Sequence, residues 1–154
     1  MSTPEERIAA LGLELPEVVP PLASYVPTAR TGSLVYTSGQ VPIVKGEIVA
    51  TGKVGAEVTA EDAAGYARIC ALNAVAALKA EVGELSRVVR IVKVLGFVAT
   101  APDFYGHPQV INGASDLLGE IFGDAGKHAR SAVGVAALPS NVPVEVELIA
   151  EVLD

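Results

Sequence analysis

The sequence predicts an α+β fold in which two long helices cover one face of a mixed, largely antiparallel β-sheet. One alanine-rich stretch without proline runs from Thr59 to about Val82, and its apolar residues recur every three or four positions. The same spacing returns over residues 109–122. Between and around these helices lie runs typical of strands, at residues 34–37, 41–44, 88–98, 130–137 and 144–153. A chain of 154 residues matches the size of one compact domain.

The first residues have the features of a helix start. Thr3 can cap the helix, Pro4 suits its first turn, and Glu5 and Glu6 lie near its positive end. Prolines at positions 16, 20 and 21 end this short helix.

Charge and composition disfavour several classes of function. The net charge is −7 and no cluster of Lys and Arg is present, so we do not expect nucleic acid as a partner. No apolar run approaches the roughly 20 residues that cross a bilayer, and Glu5 and Glu6 interrupt any signal peptide, so we expect a cytoplasmic protein with no membrane partner.

The sequence contains no pattern that predicts a metal or phosphate site. It has no zinc-ligand spacing, no Gly-rich phosphate loop and no nucleophile elbow. The single cysteine, Cys70, lies in an apolar helical run and is expected to be a buried, inert thiol. His107 and His128 lack companion ligands and are expected to be loop or capping residues.

Alternation along the two closing strands places charged residues on the predicted helix-free face. Bulky Val133 and Val135 are expected under the helices, with Arg130 on the opposite side. On the last strand Glu145 and its neighbours 147 and 151 also point away from the apolar side. A guanidinium can bind a carboxylate through two hydrogen bonds, but these residues could equally form ion pairs without chemistry.

The turn between the closing strands limits how Arg130 and Glu145 can meet. A direct hairpin near residues 139–143 would pair Glu145 with about Ala137. That position lies roughly 23 Å along the strand from Arg130. A site that uses both residues would therefore have to cross a subunit boundary.

Several segments resemble the RidA family, also known as YjgF. They are Tyr25 with Ser38 thirteen positions later, Asn112 in the second long helix, and Arg130-Ser131-Ala132-Val133 running to Leu138-Pro139; Val144-Glu145-Val146-Glu147 also matches. The resemblance begins at about Leu22. It divides the chain into an N-terminal helical extension, residues 1–20, and a single RidA-like domain, residues 21–154.

The resemblance implies a chorismate-mutase-like homotrimer that binds a small 2-imino or 2-oxo acid in clefts between subunits, without a cofactor or metal. Such proteins hydrolyse 2-imino acids and their enamine tautomers to 2-oxo acids and ammonia. Arg130 would hold the substrate carboxylate, and Glu145 would orient or deprotonate a water molecule. The residues that would line the cleft beside them are Tyr25, Ser38, Asn112 and Ala132.

Because the sequence departs from the family pattern at several positions, it does not identify the substrate. Many members have cysteine at the position of Ala132, proline at that of Ala129, and Gly-Pro at that of Ala23-Ser24. These changes can reshape the pocket and alter which imine fits. One alternative is a non-catalytic, trimeric protein that binds a small carboxylate or has a regulatory role. Another is an RNA-cleaving or translation-inhibiting role, which the acidic charge disfavours.

Overall fold

A five-stranded mixed sheet forms the centre of the molecule. The computed structural model describes residues 2–18 and 24–154. The strands are β1 (Thr28–Thr31), β2 (Leu34–Thr37), β3 (Ile43–Val44), β4 (Glu47–Ile48), β5 (Val88–Ala99), β6 (Ala129–Val135) and β7 (Val144–Val152). Their order in the main sheet is β1-β2-β7-β5-β6, while β3 and β4 form a small separate hairpin. Only the β5–β6 pair is parallel in the described residues.

Both long helices pack on one face of this sheet. Helix α1 spans Pro4–Ala10, α2 spans Ala60–Val82 and α3 spans His107–Phe122. Helix α2 contacts β7 and β2, whereas α3 contacts β5 and β6. The predicted α+β fold is therefore confirmed. Helix α3 begins two residues before the predicted Gln109, because Pro108 is accepted in a first helical turn.

Small residues allow the two long helices and the sheet to approach closely. A Cβ atom on Gly113 would overlap the backbone carbonyl of Ala64 in α2. One on Gly96 of β5 would overlap the side chain of Ile111 in α3. The core beneath is apolar and includes Cys70, whose buried thiol confirms the prediction. Burial is also the main cause that raises the pKa of this thiol, followed by the charge of Glu145.

The two closing strands do not form the predicted hairpin. Strand β5 lies between β6 and β7 and pairs with both. The prediction was wrong because α3 returns the chain parallel to β5, which makes β6 the edge strand of a β-α-β crossover. The chain then passes the 3-10 turn Pro139–Asn141 and enters the sheet on the other side of β5 as β7.

The predicted faces of β6 are also reversed. Arg130 and Ala132 face α3, whereas Val133 lies on the face without helices and is 42% exposed. Close approach of the helix explains the reversal, because a Cβ on Gly134 would lie only 2.6 Å from Nε2 of His107. After Arg130, the helix side of β6 therefore holds only the small residues Ala132 and Gly134. The expectation that Arg130 shares a face with the glutamates is wrong.

The alternation predicted for β7 is confirmed. Val144, Val146, Leu148, Ala150 and Val152 are buried. The intervening residues, Glu145, Glu147, Ile149 and Glu151, are half-buried on the face that no helix of the described residues covers. Partly exposed Tyr36 and Val133 lie on this same face.

Helix α1 packs near the C-terminal ends of the two long helices. Ile8 is buried, and Glu5 accepts hydrogen bonds from Lys79 Nζ at 2.8 Å and from the backbone N–H of Leu85 at 2.9 Å. Arg7 donates to the carbonyl of Ile121, at the C-terminal end of α3. The predicted boundary after residue 20 falls among residues 19–23, outside the described residues. None of the helices in the described ranges is long and apolar enough to cross a membrane.

Candidate functional site

The side chain of Arg130 extends from the edge strand β6 and lies against α3. Its Nη1 donates to Asn112 Oδ1 at 2.8 Å and to Ser115 Oγ at 3.2 Å. Its Nη2 donates to the carbonyl of Pro108 at 3.4 Å. The three acceptors are neutral, and within residues 2–18 and 24–154 Arg130 forms no ion pair. The alternative that Arg130 pairs with glutamates of its own chain is therefore contradicted.

The hydrogen bonds of Arg130 leave donors for an anion. A guanidinium carries five N–H donors and accepts none. Three of them are used by Pro108, Asn112 and Ser115, so one on Nε and one on Nη2 remain. Two such donors can bind both oxygens of one carboxylate. Arg130 and Asn112, predicted as site residues, are thus in direct contact, and Ala132 follows Arg130 on the same side of β6.

A shallow cavity of about 330 Å³ adjoins Arg130. It lies between the C-terminal half of α3 and the start of β6, and its lining is Ser115, Gly119, Gly126, Lys127, His128 and Arg130. Of these six residues, only Arg130 was predicted to contribute to the site. The only sequence signal for Ser115 is its i,i+3 spacing from Asn112, which places both on one side of a helix.

Arg130, Asn112 and Ala132 form a first cluster of predicted site residues. Glu145 lies in a second cluster, at the start of β7. Gln40 pairs with Val146 through two backbone hydrogen bonds, which brings the segment after β2 against Glu145. A Cβ on Gly39 would overlap the carboxylate oxygen Oε2 of Glu145. Glycine at this position therefore leaves room for the carboxylate, a role that the sequence analysis missed.

The surroundings of Glu145 disfavour its charged form. Burial raises its pKa, and the nearby charge of Glu147 raises it further. A carboxylate whose pKa is raised toward neutral is a stronger base than an ordinary surface glutamate. Glu145 can therefore accept a proton from water more readily.

Ser38 and Tyr25 adjoin the second cluster. Ser38 precedes Gly39, and its hydroxyl donates to the carbonyl of Val26, the residue after Tyr25. The Tyr25 side chain is 55% exposed. Ser38 thus connects the backbone next to Tyr25 with Gly39, which adjoins Glu145.

The two clusters are separated within one chain. In the sheet register Arg130 is level with Val94 of β5, whereas Glu145 is level with Phe97. This corresponds to about 10 Å along the strands and about 9.5 Å across two strand spacings. The two side chains also point to opposite faces of the sheet. One small substrate cannot contact both residues in a single chain.

Metal ligands are not grouped in the described part of the chain. No set of three or more His, Cys, Asp or Glu side chains there is arranged to hold a metal ion. His107 begins α3, and the ring of His128 is hydrogen-bonded in the loop before β6.

Sequence comparison reveals similarity to proteins of one family. Residues 5–152 match the family described as YjgF/chorismate mutase-like, putative endoribonuclease. Protein TCP17 of Trypanosoma cruzi is 41% identical over 152 residues, which cover 94% of each chain. The 2-iminobutanoate/2-iminopropanoate deaminase of Escherichia coli K12 is 32% identical over 132 residues, covering 84% of this chain and 88% of the deaminase.

A solved structure is similar over almost the whole chain. A protein described as a putative endoribonuclease from Shewanella oneidensis superimposes with a TM-score of 0.96 and is 42% identical. The match covers 98% of this chain and all of that protein. The similarity therefore includes helix α1 as well as the sheet and the two long helices.

Proposed function

Since this chain belongs to the YjgF/chorismate mutase-like family, we propose that it hydrolyses small 2-imino acids, such as 2-iminopropanoate and 2-iminobutanoate, to 2-oxo acids and ammonia. The observation that carries the proposal is the guanidinium of Arg130, which has two free donors and no carboxylate partner among the described residues. Relatives at 32% identity that are named for this activity support it.

Arg130 binds the substrate carboxylate in this proposal. Both carboxylate oxygens accept from the Nε and Nη2 donors that α3 leaves free. This contact fixes the adjacent imine carbon at a defined distance from the protein. Asn112 and Ala132 line the same part of the cleft, where the amide of Asn112 has donors left for the substrate.

Glu145 activates the water. Its carboxylate accepts a proton as the water oxygen attacks the carbon of the protonated imine, and the product is a neutral tetrahedral carbinolamine. Glu145 then gives this proton to the nitrogen. As the C–N bond breaks and ammonia leaves, the hydroxyl loses its proton to the Glu145 carboxylate and the carbonyl of the 2-oxo acid forms. Ser38 precedes Gly39, which adjoins the Glu145 carboxylate, and its hydroxyl donates to the carbonyl of the residue after Tyr25. Tyr25 and Ser38 are assigned to hold the substrate or the leaving nitrogen. The reaction needs no cofactor.

Two subunits form each site in this proposal. Arg130 and Glu145 face opposite sides of the sheet, so each cleft takes Arg130 from one subunit and Glu145 from its neighbour in a homotrimer. The uncovered sheet face, with Tyr36 and Val133 partly exposed, supports contact with another subunit.

The test is ammonia release from 2-iminopropanoate and 2-iminobutanoate, generated in place by an amino-acid oxidase or a dehydratase. Wild type is expected to accelerate release and Arg130→Ala to lose the acceleration while remaining folded. Arg30→Ala is the matched control, because Arg30 also lies on an edge strand and donates to backbone carbonyls. It is expected to behave as wild type.

Other outcomes identify the alternatives. If wild type does not accelerate ammonia release but binds 2-oxobutanoate, and Arg130→Ala does not bind it, the protein is a non-catalytic carboxylate-binding protein. If wild type neither accelerates release nor binds 2-oxobutanoate, the proposal is wrong. Cleavage of a labelled RNA by the same preparation would then favour the endoribonuclease role that the family description names.

A further inference from the structure

A chain of hydrogen bonds runs from Arg130 into the loop before β6. Nη1 of Arg130 donates to Ser115 Oγ at 3.2 Å. Ser115 Oγ lies 2.9 Å from His128 Nε2, and His128 Nδ1 lies 2.6 Å from the carbonyl oxygen of Gly126. The chain connects the edge strand, helix α3 and the turn between them.

The groups at the two ends of this chain have fixed hydrogen-bonding roles. The carbonyl of Gly126 can only accept, so His128 Nδ1 must carry the proton. The guanidinium of Arg130 can only donate, so the single hydroxyl proton of Ser115 is free to point at His128 Nε2. With its proton on Nδ1 alone, the ring of His128 can accept the Ser115 hydroxyl proton at Nε2, and each donor then meets one acceptor.

We propose that Ser115 and His128 are positioning residues that hold the guanidinium of Arg130 in the orientation that binds the substrate carboxylate. The inference rests on the proposed role of Arg130 as carboxylate anchor. In this arrangement His128 Nε2 accepts a hydrogen bond from the Ser115 hydroxyl, which directs the lone pairs of the hydroxyl at Arg130. Neither residue touches the substrate.

The orientation of the Arg130 guanidinium depends on its contact with Ser115. Both protons of Nη1 are used, one by Asn112 and one by Ser115, which lie one helical turn apart on α3. Two acceptors fix the plane of the guanidinium and leave the N–H of Nε and one N–H of Nη2 free. A free arginine side chain loses rotamer entropy when it is immobilised, so holding it in place before binding favours affinity.

Gly126 anchors the other end of the chain. A Cβ at this position would overlap the carbonyl of Leu118 in α3, so the turn packs directly on the helix backbone. The carbonyl of Gly126 is thereby held against His128. Ser115 and His128 are only half-buried and line the shallow cavity, so changing them is expected to alter the core little.

The kinetic test compares Ser115→Ala, Ser115→Thr and His128→Phe with wild type. Ser115→Ala and His128→Phe are expected to raise KM for 2-iminobutanoate and Kd for 2-oxobutanoate about tenfold, with kcat within about threefold, because carboxylate binding is shared by substrate and transition state. Ser115→Thr keeps the hydroxyl and is expected to restore wild-type values. Asp116→Ala, exposed on the same helix, is the control and is expected to have no effect.

A second comparison tests whether Ser115 acts through Arg130. In an Arg130→Lys background the positive charge remains, but the planar guanidinium that Ser115 orients is lost. Ser115→Ala is therefore expected to change Kd for 2-oxobutanoate less than twofold in this background. An equal effect in both backgrounds would overturn the proposal. An active wild type whose KM and Kd do not respond to Ser115→Ala would overturn it as well.

Nitrogen NMR provides a readout that does not depend on activity. His128 is expected to be the Nδ1–H tautomer, and Ser115→Ala is expected to speed rotation of the Arg130 guanidinium about its Nε–Cζ bond. A proton on Nε2, or a rotation rate that Ser115→Ala leaves unchanged, would contradict the positioning role. An inactive wild type with the expected tautomer and rotation would instead contradict the proposed function alone.

Discussion

Arg130 and Glu145 carry opposite charges in unlike surroundings. Arg130 is held by neutral acceptors from α3 and keeps two donors free. Glu145 is half-buried beside another carboxylate, and Gly39 provides the space that it occupies. The first arrangement suits anion binding, and the second suits proton transfer.

Glu147→Gln is expected to shift the acidic limb of the kcat/KM profile toward lower pH. In the proposed reaction Glu145 works as a carboxylate, so activity is expected to rise as pH increases through its pKa. Burial and the charge of Glu147 both raise that pKa, and the substitution removes the second cause. The measurement is the pH profile with 2-iminobutanoate. Glu151→Gln, on the same face of the same strand, should leave the limb in place, and a shift of the Glu147 variant to higher pH would contradict the prediction.

Gly39→Ala is expected to lower kcat by about 10- to 100-fold with little loss of stability. Gly39 does not have the positive φ that only glycine favours, so the backbone accepts alanine. The new Cβ would displace the carboxylate of Glu145. Kinetics and thermal unfolding check both parts. Gly65→Ala, where nothing lies near the new methyl group, is the control. Wild-type kcat in Gly39→Ala would show that the position of this carboxylate does not matter.

Helix α3 contains two glycines with different roles. At Gly113 the helix touches the backbone of α2, and no room exists for a side chain. At Gly119 an added Cβ would meet no atom within 4 Å. The same residue type thus permits close helix packing at one position and only weakens the helix at the other.

Gly113→Ala and Gly119→Ala are expected to change stability in opposite directions. The first forces α3 away from α2 and should destabilise the fold by about 1–3 kcal/mol, the usual cost of overpacking. The second should stabilise it by about 0.5–1 kcal/mol, because alanine favours a helix interior more than glycine does. Denaturant unfolding of both variants measures the difference, and equal effects would show that the helix contact is not tight.

The arrangement of the whole subunit divides the candidate site into two halves. Strand β5 separates β6 from β7, and the side chains of Arg130 and Glu145 leave the sheet on opposite faces. In the proposed homotrimer, each subunit provides Arg130 to one cleft and Glu145 to another. This division makes the proposed site testable by mixing inactive subunits.

Co-expression of Arg130→Ala with Glu145→Gln in equal amounts is expected to restore about a quarter of wild-type activity. Random assembly makes about three quarters of the trimers mixed, and each mixed trimer has one of three clefts with both residues intact. Each variant alone should be inactive. The measurement is ammonia release by the purified mixture, with two separately purified and unmixed trimers as control. No recovery in co-expressed trimers would contradict the shared site.

The sequence by itself determined the local structure. Helical spacing predicted α2 and α3, β-branched runs predicted β5 and β7, and alternation predicted the buried side of β7, because these patterns follow from the backbone periods of 3.6 and 2. The resemblance of residues around Arg130 and Glu145 also predicted the family.

Only the tertiary structure determined which strands pair and which face of each strand a helix covers. Alternation divides β6 into two faces but does not say which face a helix covers, and bulk was misleading because close contact with α3 requires small residues. The order of β5, β6 and β7 depends on the path of α3, which no local pattern encodes. Contacts between distant segments, such as Ser115 with His128 and Gly39 with Glu145, exist only once these elements pack.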